Sequence, residues 1–288
     1  MAFFFSSNDN SKDQLKSGQP WPEELGVPHW EYPYFLSQAK VKGIILKFSI
    51  VIPIYNEAAT AKTLIEKVIT AEVLGLEKEI IIVEGASTDG TREIAREFEK
   101  TPGVRVMYEE RPSGKGNAVK KGLSAVTGDY ILIQDGDLEY DVADYPKLLK
   151  PLIENQADVV YGSRVLRSPQ SWQFRRFSGF ERFYGFFVNF GGVLFTNLFN
   201  FLYGTHLSDV ATMFKIFKAD DLRRISLKSC GFDYDWEISA KLAKNKSTRF
   251  KEIPVFYRAR SRAEGKKIRF WRDGLSVFIA ILRYRFSD

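Results

Sequence analysis

Asp135, Asp137, Glu139 and Asp141 stand at alternate positions just after the apolar run Tyr130–Ile133, with Gly136 between the first two. Carboxylates this close repel one another, and leaving the repulsion uncompensated is costly. A hard divalent cation, Mg²⁺ or Mn²⁺, relieves it, because such ions take oxygen ligands and bridge carboxylates to substrate phosphates. An acidic surface turn would have the same composition, so the choice rests on the rest of the chain. A second stretch, Gly114-Lys115-Gly116, stands before a helical pattern, where helix N–H groups and an ammonium suit an anion. It lacks the spacing and the following Ser/Thr of a Walker loop, and a plain helix-opening turn fits it equally well.

The elements that would position these residues alternate. Ile44–Ile54 is a β-branched run containing Pro53, the profile of a central parallel strand, followed by Tyr55-Asn56-Glu57 and a helix over about 58–74. Glu79–Glu84 predicts a second strand, ending in Gly85-Ala86-Ser87-Thr88-Asp89-Gly90-Thr91. A helix follows to about Lys100, with Asp89 or Thr91 as its cap. Val104–Tyr108 is a third strand, and the turn from Pro112 to Asn117 opens a helix through Val126. Tyr130–Ile133 is the fourth strand and Asp158–Gly162 another, ahead of Ser163-Arg164. Strands alternating with helices predict an α/β fold, a mostly parallel central sheet with flanking helices. In such sheets ligands gather at the carboxyl ends of the strands, where the polar turns fall.

Composition narrows the chemistry. With 288 residues the chain holds one large domain or two small ones. One cysteine, Cys230, excludes an intrachain disulfide and fits a reducing compartment. Two histidines argue against a His-based zinc site, so a metal would sit on oxygen ligands. A net charge of +6 points to an anionic partner. The aromatics cluster in charge-free stretches instead of alternating with basic residues, which argues against nucleic acid. Met1–Phe5 is too short for a signal-peptide core, so the cytoplasm, or the cytoplasmic side of a membrane, is the expected location. Residues 1–42 read as an N-terminal arm without chemistry.

Two stretches bear on membranes. Phe183–Thr205 carries no charge, while Gly185, Asn189, Gly192, Thr196, Asn200 and Gly204 recur at helical spacing and leave Phe186, Phe187, Phe190, Val193, Leu194, Leu198 and Phe201 on other faces. This predicts an amphipathic interface helix over 180–205, with a buried core helix as the alternative. The end of the chain, 266–288, mixes Leu275, Val277, Phe278, Ile279, Ile281 and Leu282 with Trp271, Arg283 and Arg285, and predicts a second interface helix. The chain would then be peripheral, or held by a membrane-protein partner or a second copy of itself.

The ordered set Val51-Ile52-Pro53-Ile54-Tyr55-Asn56-Glu57, Ser87-Thr88-Asp89-Gly90-Thr91, Gly114-Lys115-Gly116-Asn117-Ala118 and Asp135-Gly136-Asp137 resembles the family 2 glycosyltransferases of GT-A fold. Within these it is similar to the dolichyl- and undecaprenyl-phosphate sugar transferases, from about residue 48 onward. The resemblance implies a GT-A domain over 43–265. It implies that Pro53, Tyr55, Glu57 and Val83 hold the nucleoside, with Glu84, Lys115 and Asp135 also at the nucleotide sugar. Asp135 and Asp137, with Glu139, would bind Mg²⁺ or Mn²⁺. Arg164, Arg260 and Lys266 would contact the acceptor phosphate, and Asp137, Arg164, Asp209 and Arg260 would serve the transfer. Thr212 lies in the same motif as Asp209. Relatives carry two Asp residues where this chain has Glu84 and Gly85, and the second of them contacts the base, so the donor nucleotide stays open.

The implied reaction is metal-dependent, inverting transfer of a hexose from GDP-mannose or a UDP-hexose to a polyprenyl phosphate. Two alternatives remain: a polysaccharide or glycolipid hydroxyl acceptor, with Asp235 or Glu237 as base, or a non-catalytic subunit that binds a sugar nucleotide.

Overall fold

Every residue from Phe48 to Ile54 is buried, which is why the β-branched run forms the central strand, β1 (Lys47–Ile54). The computed structural model describes residues 46–166, 181–260 and 270–287. Residues from Ile45 on make one compact unit; the expected arm over 1–42 lies outside the described residues. Strand β2 (Glu77–Glu84) pairs parallel with β1, and β3 (Val104–Tyr108) pairs parallel with β2. On the other side of β1 lies β4 (Tyr130–Ile133), also parallel. Their carboxyl ends therefore share one edge of the sheet, and the polar turns that follow them meet there.

The second half of the sheet holds β5 (Val159–Ser163), β6 (Lys215–Lys218) and β7 (Phe250–Pro254). The order is β3-β2-β1-β4-β6-β5-β7, with β6 antiparallel to both neighbours. The expected mostly parallel α/β sheet is present, with this one inversion. Strand β6 has no signature in the sequence, since four residues ending in Lys at both sides show neither a long apolar run nor a clear alternation.

Helices α1 (Ala61–Thr70), α2 (Thr91–Glu97), α3 (Lys115–Leu123) and α4 (Tyr145–Ile153) follow the first four strands. Helix α1 is shorter than expected. The Glu57 carbonyl accepts from both Thr60 N and Ala61 N, so 57–60 is a turn, and Lys78 Nζ closes the far end by donating to the carbonyls of Val68, Ile69 and Ala71. Helix α3 approaches the sheet through Gly122, where a Cβ would lie 2.4 Å from Val51 Cγ1.

Helix α5 (Glu181–Tyr203) is followed by the short α6 (Ala219–Arg223), then α7 (Tyr234–Lys244) and α8 (Phe270–Phe286). Asn189, Thr196, Phe199 and Tyr203 of α5 are buried, whereas Phe186, Phe187, Phe190, Leu194 and Phe201 are exposed. Asn189 and Thr196 of the small and polar stripe thus face the protein together with Phe199 and Tyr203, Gly204 at its end is exposed, and the aromatics at 186, 187, 190 and 201 face outward. Helix α8 buries Ala280, Ile281 and Tyr284 and exposes Leu275, Phe278, Ile279 and Phe286. It runs alongside α5: Gly274 approaches Phe195, and Tyr203 Oη donates to the Ile281 carbonyl at 2.9 Å. Gly185–Tyr203 is long and apolar enough to cross a membrane, by length and composition only.

Candidate active site

A cavity of about 370 Å³ opens at the shared strand edge. Pro53 lines it from the end of β1, Tyr55 and Glu57 from the turn after β1, Gly85 from the turn after β2, and Glu109 and Ser113 from the loop after β3. Lys115, Asp135, Asp137, Glu139, Phe232 and Arg260 complete the part that matters chemically. Most of the residues singled out in the sequence therefore meet in one place.

The β1 end is held by the turn after β2. Ser87 Oγ accepts from Asn56 N, Thr91 Oγ1 from Glu57 N, and Asp89 Oδ2 from Ala58 N. In return Asn56 Oδ1 accepts from Thr88 N at 2.9 Å. Asn56 and Ala86 both take the left-handed conformation, φ 50° and 59°, a strained backbone at the cavity rim. The Ser-Thr-Asp-Gly-Thr motif is thus a clamp that fixes the aim of Tyr55 and Glu57. The N-cap of α2 is Gly90, neither Asp89 nor Thr91 as expected; Asp89, one residue before it, accepts from Thr91 N.

The acidic turn leans on β1 at Gly136, where a Cβ would sit 2.8 Å from Ile54 Cγ2, so only glycine fits. Beside it, two cations hold the carboxylates. Lys115 Nζ pairs with Asp135. Arg260 donates from Nη1 to Glu57 at 2.8 Å and from Nη2 to Asp137 at 2.7 Å. Its backbone N–H donates to Glu139 at 2.8 Å, while its buried Nε, 3.8 Å from Glu139, has no hydrogen-bond partner among the described residues. Burial, then the charges of Asp135 and Glu139, push the Asp137 carboxyl up to about 7, with Arg260 opposing. Among the described residues no three acidic, His or Cys side chains converge as a ready metal cage. The donor set nevertheless fits a hard cation: crowded oxygen ligands at a strand end, held together here by a guanidinium and an ammonium.

Other expected residues stand back from the cavity. Arg164 is 5% exposed and pairs with Asp209 through Nε and Nη2, each at 2.7 Å. Its guanidinium also lies over the Tyr257 ring at 5.1 Å, and Tyr257 Oη donates to Glu139 at 2.7 Å. Arg164 and Asp209 thus reach the acidic turn through Tyr257. Val83 is buried in β2, and Glu84 is buried against Arg92 and the Ser87 N–H, which shapes the turn. Thr212 donates to the Gly162 carbonyl. Asp235 pairs with buried Lys215, and Glu237 accepts from Lys228 N and Ser229 N. Lys266 lies outside the described residues. The glycines of the third turn have a use that the sequence reading missed: Gly116 N–H donates to the Cys230 carbonyl, not toward an anion. Glu109, Ser113 and Phe232 were missed too, although Glu109 follows a strand end just as Glu57 and Asp135 do.

Residues 49–226 match the family described as Glycosyl transferase family 2, and the chain belongs to that family. It is 27% identical over 223 residues to the dolichol-phosphate mannosyltransferase of Pyrococcus furiosus, across 77% of this chain and 59% of that protein. It is 32% identical over 137 residues to the dodecaprenyl-phosphate galacturonate synthase of Rhizobium johnstonii, across 44% of this chain and 40% of that one. The chain thus spans little more than half of the first relative and less of the second. In fold it resembles glucosyl-3-phosphoglycerate synthase from Mycobacterium tuberculosis, solved with Mn²⁺, UDP and phosphoglyceric acid. That TM-score is 0.64 at 18% identity, over 91% of this chain and 85% of that one.

Proposed function

We propose that the chain is a metal-dependent, inverting glycosyltransferase that moves a hexose from GDP-mannose or a UDP-hexose to a polyprenyl phosphate at the cytoplasmic face of a membrane. One observation carries the reading: Arg260 spans Glu57, Asp137 and Glu139 at the phosphate end of a cavity large enough for a nucleotide sugar. An arginine there can exchange carboxylates for phosphate oxygens, since its planar fork matches either. The relatives named for polyprenyl phosphates and the exposed aromatics of α5 and α8 support a lipid acceptor.

Tyr55 offers its ring to the base, Pro53 forms the floor with Val83 packed beneath it, and Glu57 faces the ribose. Lys115 draws the diphosphate toward Asp135. A divalent ion held by Asp135, Asp137 and Glu139 would neutralise charge developing on the leaving nucleotide. Arg260, with Lys266, aligns the acceptor phosphate. One of its oxygens forms the new bond to the anomeric carbon as the bond to the diphosphate breaks on the opposite face, inverting the centre. A phosphate monoester is already ionised near neutral pH, so alignment matters more than a general base. Arg164 and Asp209 act as positioning residues, holding Tyr257 and through it Glu139. A hydroxyl acceptor would need a base, and Asp235 and Glu237 are both committed to partners away from the cavity.

The test is transfer of labelled hexose from a panel of UDP- and GDP-hexoses to a short polyprenyl phosphate with Mn²⁺. Label in the lipid fraction, lost in Asp137→Asn, is the expected result. Label reaching only polysaccharide would move the acceptor, and nucleotide binding without turnover would support the non-catalytic subunit.

A further inference from the structure

The carboxylates that line the cavity form two groups. Glu57, Asp135, Asp137 and Glu139 gather around Arg260 and Lys115. Glu109 stands apart, beside Gly85 and Ser113, where β2 and β3 end. The sheet order puts β3 three strand spacings from β4, roughly 14 Å at the usual interstrand distance. A nucleoside diphosphate whose phosphates lay over Asp135 and Asp137, and which ran along this edge, would bring its base toward Glu109.

Glu109 is built to present one oxygen. Its N–H donates to the Glu84 carbonyl at 2.8 Å, and its own carbonyl accepts from Arg92 Nη2 at 2.6 Å, which fixes the backbone. Ser113 Oγ donates to Oε1 at 2.5 Å. Oε2 has no hydrogen-bond partner among the described residues, and the residue is 9% exposed, at the cavity wall. Position 85 cannot supply a carboxylate without crowding, because a Cβ there would meet the Ile54 carbonyl at 3.3 Å and Tyr55 at 3.4 Å.

We propose that Glu109 reads the donor base: Oε2 accepts the ring N–H that uracil (N3) and guanine (N1) present, and so selects UDP- or GDP-sugars over CDP- and ADP-sugars. Cytosine N3 and adenine N1 carry a lone pair at that position, which faces the carboxylate without a proton between them. A site built around a substrate N–H rejects an analogue that lacks it, because its own acceptor is left unpaired. This inference rests on the donor-site reading above.

The experiment titrates UDP, GDP, CDP and ADP, each with Mn²⁺, into the full chain and into Glu109→Gln and Ser113→Ala. The wild type should bind UDP or GDP at least about tenfold more tightly than CDP and ADP, and the tighter of the two names the donor base. Glu109→Gln should weaken the preferred nucleotide and strengthen CDP and ADP, since an amide N–H can meet their lone pair, so that the ratio collapses. Ser113→Ala keeps the carboxylate and should keep the order of preference. A wild type that binds all four alike overturns the inference whatever the variants do, as does a Glu109→Gln protein with the wild-type ratio. If none of the four binds, the donor-site reading fails and this inference with it.

Discussion

A Cβ added at Gly116 would lie 2.7 Å from the Ser229 carbonyl oxygen and 3.0 Å from Cys230 Cα, and one at Gly114, where φ is +95°, would lie 2.5 Å from the Cys230 carbonyl oxygen. These glycines let segment 229–232 close over the third turn and bring Phe232 to the cavity. Gly116→Ala should therefore cost about 1–3 kcal/mol, as overpacking does, and weaken nucleotide binding as Phe232 is displaced. Urea unfolding and a binding titration check the two effects, and an unchanged midpoint would contradict the account. At the Arg164–Asp209 pair the geometry is a buried bidentate one, so removing one charge strands the other. Asp209→Asn should destabilise by roughly 3–5 kcal/mol in urea unfolding; a loss below 1 kcal/mol would mean that the guanidinium has another anion.

Helices α5 and α8 both leave large apolar side chains exposed, Phe186, Phe187, Phe190, Leu194 and Phe201 on the first and Leu275, Phe278, Ile279 and Phe286 on the second, and α5 buries Asn189 and Thr196 on its inner face. The paired helices carry Arg283 and Arg285 at the end of α8, which suits an anionic bilayer. The chain should float with vesicles containing anionic lipid. Phe187→Ser with Phe190→Ser should lower the bound fraction, each ring contributing roughly 1.5–3 kcal/mol when fully buried. Equal flotation of the variant would assign this face another occupant. The inward polar stripe was legible as a spacing of three and four, because helical geometry alone decides which residues share a face. Which face turned inward was not legible, since that depends on Phe199, Tyr203 and Trp236 packing around it.

Across the whole molecule, what could be read early was whatever a strand end dictates locally: β1, β2 and β4 and the turns behind them. Residues brought in from far along the chain were visible only as types. Arg260 could be named as a basic residue suited to phosphate, but its grip on Glu57, 203 positions away, belongs to the assembled fold. So does Asp158, which joins three strands by accepting from Arg249 N and Nε and from Lys218 Nζ. Hydrogen bonds from Arg249 hold the Asp158 carboxyl well below its ordinary value. A depressed carboxyl contributes stability that is complete above its unfolded pKa, near 3.9, and is lost as pH falls below it. Asp158→Asn should thus be less stable than the wild type at pH 7, and urea midpoints should converge as the pH is lowered through about 3. A constant gap would assign the acid sensitivity elsewhere.

The proposed metal-dependent donor site at Asp135 and Asp137 can be tested through Mn²⁺ itself. The signal of free Mn²⁺ in electron paramagnetic resonance, followed during titration with the protein, should fall much further with UDP or GDP than the nucleotide alone accounts for, because the diphosphate draws Lys115 off Asp135 and adds its own oxygens to those of the carboxylates. Asp137→Asn should abolish that nucleotide-dependent uptake. Uptake of Mn²⁺ by Asp137→Asn equal to that of the wild type, with nucleotide bound, would contradict it.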